Sequence, residues 1–225
     1  MIDLHERHFP TQGTHMLRTA IRPLRVALCG ALLLAAASCH DTGTSPTDEG
    51  KDISELHQLH VTYDYPTLAT TQVSFYAVKG KTAGADLWYH ARTGASDSTK
   101  FVEFRLGAGS LDKRPDGSSI AVGDSVLITL TASDARHMMI EFQPSGLKFS
   151  ITDQPSLKMF WVACGDDVNY DGKVDANDDL ITSQLGIWRQ ETPGARWFHV
   201  GSAVFKGTRE VDASLSGFSG WALMY

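Results

Sequence analysis

Apolar and polar positions alternate with a period of two in short runs from residue 72 to residue 225, and Gly, Asp, Ser and Pro separate those runs. Successive side chains on a strand point to opposite faces, so this pattern predicts half-buried strands. β-branched and aromatic residues enrich 72–78, 86–91, 101–106, 125–131, 138–142, 157–162, 197–200, 209–215 and 221–225, which are read as strands. Together they predict an all-β chain, an antiparallel β-sandwich. Lys79-Gly80-Lys81-Thr82-Ala83-Gly84 reads as the first turn, and Arg114-Pro115-Asp116-Gly117 lies in a longer connection. Pro144 and Gly146 end one strand, while Leu147 and Phe149 alternate inward at the start of the next. One short helix is expected over 176–185, with Gly186 as its C-terminal cap. It follows a loop inserted between two strands, the insertion spanning 164–186.

The first forty residues have a different pattern. Arg18, Arg22 and Arg25 precede an apolar run over 26–37, and Ser38 and Cys39 follow. That order is a secretory signal, residues 1–38, with Met16 read as the start. Ala36, Ala37 and Ser38 before Cys39 resemble the recognition site of bacterial lipoprotein processing. The resemblance implies that Cys39 becomes the lipidated first residue of the mature protein; the competing reading is a plain cleaved signal with an incidental cysteine. The run is shorter than the roughly 20 residues a spanning helix needs. Several acyl chains, each buried methylene contributing about 0.8 kcal/mol, would hold the protein to a membrane. His40 stands where an Asp would resemble an inner-membrane retention signal, so the expected location is the cell envelope, as an outer-membrane lipoprotein facing the periplasm or the surface. Residues 39–60, rich in Thr, Ser, Gly, Asp and Glu, are expected to be a solvated tether, and 61–225 the folded domain.

Cysteine and charge narrow the partners. Of three cysteines, Cys29 leaves with the signal and Cys39 takes the lipid, so Cys164 has no disulfide partner. Removing 1–38 takes away four basic and two acidic side chains, moving the formal charge from −6 to −8. That balance disfavours nucleic acid and anionic lipid surfaces as partners. An unidentified protein or carbohydrate ligand remains.

The most specific chemistry lies at 167–178. Asp167, Asn169, Asp171, Gly172, Val174 and Asp178 spell Asp-x-Asn-x-Asp-Gly-x-Val-x-x-x-Asp, the spacing that wraps oxygen ligands around Ca2+. The expected ligands are the side chains of Asp167, Asn169 and Asp171, the Lys173 carbonyl, Asp175 directly or through water, and Asp178 as the closing carboxylate. Gly172 permits the sharp turn at the sixth position. Asp178 reaches less far than the Glu usual at the twelfth position, which points to a weaker site. Magnesium, which demands a small octahedron and keeps its waters, fits poorly. Asp166, Asp167, Asp171, Asp175, Asp178 and Asp179 crowd this stretch with Lys173 to offset them, and a dication would relieve their repulsion. The alternative is a solvated acidic turn held by Asx hydrogen bonds. The loop resembles the calcium-binding repeat of dockerins, in which an apolar helix face follows; Leu180, Ile181 and Leu185 occupy the corresponding places. Dockerins carry two repeats and this chain shows one, after a strand rather than a helix, which argues against cohesin docking.

A second resemblance covers roughly 100–162. Gly107-Ala108-Gly109-Ser110-Leu111, then Glu141-Phe142-Gln143-Pro144-Ser145-Gly146-Leu147-Lys148-Phe149, then Pro155-Ser156-Leu157-Lys158-Met159 look like the β-sandwich domain shared by zonula occludens proteins, ankyrins and netrin receptors. That resemblance implies an interaction module without catalytic residues.

The leading expectation is therefore a calcium-stabilised, lipid-anchored binding or structural module, not an enzyme. The rival is an exported hydrolase, for which His199, Asp212 and Ser219 form a triad by composition alone. No Gly-x-Ser-x-Gly or His-Glu-x-x-His pattern is present. His57 and His60 have the spacing of a metal pair, with polar filler the competing role. His137, Met138 and Met139 could offer soft ligands, but neighbouring strand residues face opposite ways. Trp188, Trp197 and Tyr170 are candidates for a contact face or for core, and Trp221 is assigned to core. Cys164 beside acids is expected to be inert.

Overall fold

The structure is a computed structural model that describes residues 49–94 and 98–225. Cys39 and the proposed signal lie outside the described residues. Among the described residues thirteen strands follow in chain order: β1 (Gln72–Val78), β2 (Ala83–Trp88), β3 (Lys100–Leu106), β4 (Leu111–Lys113) and β5 (Ser125–Asp134) come first. Next are β6 (Met139–Gln143), β7 (Lys148–Phe149) and β8 (Ser156–Phe160). After one helix, α1 (Ala176–Gln184), come β9 (Gly186–Gln190), β10 (Trp197–Val200), β11 (Ser202–Phe205), β12 (Glu210–Ser214) and β13 (Gly220–Met224). They form a six-stranded sheet in the order β1-β5-β6-β13-β9-β10, a five-stranded sheet β11-β12-β8-β3-β2, and a two-stranded β4-β7 pair. Every pairing between them is antiparallel, and the chain is mostly β, as its alternation predicts.

The period of two decides what each sheet buries. On β5, Val126, Ile128, Leu130 and Ala132 are buried between less buried neighbours. Phe104 of β3 meets Phe142 of β6 at a ring separation of 4.7 Å, so the two large sheets share one core; Phe218 stacks on Phe142 at 4.6 Å. Truncating a ring such as Phe142 to Ala removes about 3–5 kcal/mol. The other face of the five-stranded sheet carries charge: Asp86, Glu103, Lys158 and Asp212 lie in register across four strands. Lys158 bridges Glu210 and Asp212, both at 3.2 Å.

Trp221 is fully buried, as assigned. Gly186 opens β9 instead of capping α1; a Cβ there would lie 2.3 Å from His199 Nε2, so the imidazole from β10 occupies the space a side chain would need. The pattern misses β9 because Gly186, Ile187 and Trp188 are buried in succession; with both faces covered, alternation disappears. The covering element is the supposed tether. Lys51 and Trp197 exchange backbone hydrogen bonds at 2.7 and 2.8 Å, and His57 and Tyr225 at 2.9 and 3.1 Å. Leu56 and Leu59 are buried, so 51–60 belongs to the fold and not to a solvated linker. Among the described residues, no helix is long and apolar enough to cross a membrane.

Candidate functional site

The loop at 167–178 and α1 connect β8 of one sheet to β9 of the other. Tyr170 (φ 60°) and Gly172 (φ 84°) both take the left-handed conformation, so the chain bends twice within three residues. The bends turn the polar side chains inward. Asp171 donates its N–H to Asp167 Oδ1 at 3.2 Å and to Asn169 Oδ1 at 3.0 Å, and Gly172 N–H donates to Asp167 Oδ2 at 2.8 Å. Lys173 N–H donates to Asp171 Oδ1 at 2.9 Å, and Asn169 Nδ2 donates to Asp171 Oδ2 at 3.4 Å. Asp167, Asn169 and Asp171 are thus gathered around one turn.

Asp175 and Asp178 have other work. Asp175 is the N-cap of α1, its Oδ1 accepting from Asn177 N–H at 2.8 Å. Asp178 is buried; its Oδ2 accepts from Asp175 N–H at 2.9 Å, and its Oδ1 accepts from Val168 and Asn169 N–H at 2.8 and 3.3 Å. These N–H groups, Asp175 first, hold its carboxyl below the usual carboxylate range. Asp178 does close the loop, but onto backbone. Among the described residues, no three His, Cys, Asp or Glu side chains form a group able to hold a metal ion. Asp167, Asn169 and Asp171 fit the opening half of a calcium ligand set, whereas the Asp178 carboxylate is taken up by backbone N–H groups.

The acidic stretch is also less lonely than its sequence. Arg209 pairs with Asp166, and Lys206 reaches Asp179 Oδ1 at 3.6 Å and donates to its carbonyl at 2.7 Å. Both cations come from the β11–β12 turn, far along the chain, and with the loop they border a cavity of about 300 Å³. They reduce the repulsion that Lys173 alone would leave.

The other candidates separate. His57 stacks on Tyr225 and His60 on Tyr170, so the His pair does not converge on one ion. His137 Nδ1 meets Asp134 Oδ2 at 2.7 Å, while Met138 is buried and Met139 accepts from Gln58 Nε2. His199 rests edge-on against Trp188, Asp212 pairs with Lys158, and Ser219 Oγ donates to the Gly220 carbonyl. Trp188 and Trp197 are buried with Leu56, Ala222 and Met224 and offer no contact face. Cys164 is buried and its thiol is pushed up to about 12 by loss of solvent. Gly107 and Gly109 of the segment likened to zonula occludens domains wrap the Asp153 carboxylate, which accepts from Gly109 N–H at 2.7 Å; a Cβ on Gly107 would lie 2.2 Å from it.

One feature escapes the sequence pattern. Tyr63, Tyr65 and Tyr89 line a cavity of about 320 Å³ together with Arg136. Two closely spaced tyrosines before Pro66 were a signal, but Arg136 joins them from the distant β5–β6 turn, where its carbonyl accepts from Val61 N–H at 2.8 Å.

Comparison with known proteins finds no family model, no curated protein and no solved structure that matches this chain.

Proposed function

We propose that this chain is a lipid-anchored, extracytoplasmic β-sandwich module that binds or scaffolds a partner, with Ca2+ ordering the loop at 167–178. The class is that of bacterial envelope lipoproteins, attached through Cys39 and delivered to the outer membrane. The observation that carries the calcium reading is the double left-handed bend at Tyr170 and Gly172, which turns the oxygens of Asp167, Asn169 and Asp171 into one turn. Hard oxygen donors suit calcium. When bound, the ion would be held by those three side chains and the Lys173 carbonyl, with Asp178 closing the set, and it would supply charge neutralisation. The middle segment's likeness to domains of zonula occludens proteins, ankyrins and netrin receptors supports a module that works by contact.

Thermal unfolding in Ca2+, Mg2+ and chelator tests the metal. With a Kd near 10⁻⁵ M and millimolar Ca2+, stabilisation is about 2.7 kcal/mol, or roughly 5–10 °C in Tm. Asp171→Ala should abolish the rise, and identical curves with and without Ca2+ would overturn the calcium reading. Acyl labelling that persists in Cys39→Ser would overturn the anchor.

A further inference from the structure

Two arginines differ from the rest in what balances them. Among the described residues, Arg105, Arg114, Arg189, Arg196 and Arg209 each reach a carboxylate, whereas Arg92 and Arg136 reach none. Both unpaired guanidinium groups lie over tyrosine rings instead: Arg92 is 4.4 Å from the Tyr65 centroid and Arg136 is 5.8 Å from that of Tyr63. Those two tyrosines are walls of the same cavity of about 320 Å³, whose lining among the described residues includes Arg136 and no acidic side chain. Arg136 lines this aromatic cleft and Arg92 lies over its Tyr65 wall, so the two described arginines without acidic partners stand at one place in a chain of formal charge −6. A tyrosine face attracts a guanidinium but neutralises none of its charge. The cleft is short of an anion.

Part of its wall is fixed in advance. Tyr65 donates its hydroxyl to Thr99 Oγ1 at 2.8 Å and packs edge-on against the buried Tyr89 at 5.0 Å. Backbone bonds from Val61 N–H to the Arg136 carbonyl and from Ala132 N–H to the Thr71 carbonyl, both 2.8 Å, tie the segments that carry the cleft. Tyr63 stands out from this floor, 91% exposed, and the exposed Thr67 and Thr71 add hydroxyls to the lining. Preorganisation of this kind lowers the cost of binding.

We propose that this cleft binds an acidic sugar chain, its rings against Tyr63 and Tyr65 and its carboxylates on Arg92 and Arg136. Aromatic faces match the flat C–H faces of a pyranose, threonine hydroxyls match its hydroxyls, and the guanidinium fork matches a carboxylate. A peptide added as a strand would need a run of free backbone donors, but the N–H groups of Val61, Thr62 and Tyr65 in the lining are already bonded within the chain. The proposal gives the binding-module reading its ligand class and rests on that reading; calcium plays no part in it.

Calorimetric titration of the whole protein, in excess chelator, with an oligomer of galacturonic acid tests this directly. The acidic oligomer should bind and its methyl ester should bind far more weakly. Arg136→Gln and Arg92→Gln should each lose roughly tenfold in affinity, the size of one charge-assisted hydrogen bond. Tyr63→Ala, at an exposed position, should lose binding with Tm unchanged. Absence of binding, binding unaffected by these variants, or equal binding and equal sensitivity with an oligo-glutamate peptide would each overturn the assignment. Because chelator is present throughout, failure here leaves the calcium-dependent Tm to be judged on its own.

Discussion

The Tyr170 hydroxyl accepts a hydrogen bond from the His60 N–H at 2.7 Å and donates one to the His60 carbonyl at 3.0 Å, while the two rings stack with centroids 3.5 Å apart. One side chain thereby does what a neighbouring strand would do for both backbone groups of His60. Tyr170 takes an unfavourable left-handed conformation to reach this position. The contact fastens the acidic loop to the N-terminal segment, which carries buried Leu59 into the core. Tyr170→Phe keeps the ring and removes both hydrogen bonds, so it should destabilise the protein by about 1–2 kcal/mol in denaturant unfolding. Amide exchange at His60 should quicken in step. Unchanged exchange there would show that the hydroxyl does not hold the segment.

Asp171 and Asp178 should part company when metal is removed. Asp178 is buried and satisfies three loop N–H groups without any ion, so Asp178→Asn should lower Tm in chelator as well as in Ca2+. Asp171 is exposed and spans only the tip of the turn; in chelator, Asp171→Ala should stay within about 0.5 kcal/mol of the parent. Equal losses in chelator for both variants would mean that the loop is a single hydrogen-bonded clasp.

Legibility followed the distance over which each signal acts. Alternation at 72–78 and 197–200 places β1 and β10 to the residue, because one face of each strand sets its own pattern. Asp167 to Asp171 could be read as a turn because Asx hydrogen bonds and the glycine at position 172 act locally. β9 escaped because Leu56, more than a hundred residues earlier, covers its outer face. Lys206 and Arg209 were invisible as partners of Asp179 and Asp166 for the same reason. Asp175 and Asp178 were hard to place on another ground. Helix capping and calcium ligation call for the same residue types at the same spacing, and spacing alone does not separate them.

Acid should loosen the His60 contact. Burial first, then His137 and Arg136 nearby, push the His60 pKa below its ordinary value. The folded protein therefore binds that proton less readily than the unfolded chain does. The His60 contribution to stability is complete above about pH 6.5, the unfolded value, and falls as the pH drops from there toward the folded pKa. The denaturant midpoint should fall between pH 7.5 and pH 5.5, and His60→Gln should fall less. A parallel decline in both proteins would assign the effect to other groups.

Gly186→Ala separates the two roles open to this glycine. A Cβ at this position would meet His199 Nε2 at 2.3 Å and Cδ2 at 2.7 Å. The imidazole would have to leave its edge-on contact with Trp188, where the ring centroids are 5.1 Å apart. That rearrangement should cost about 1–3 kcal/mol, as overpacking does. His199→Ala removes the obstacle, so adding Gly186→Ala to it should cost much less, and the double-mutant cycle should show clear coupling. A glycine that served as a helix cap would lose stability through its own backbone, whatever occupies position 199. Additive losses in that cycle would contradict the close approach of β10 to the start of β9.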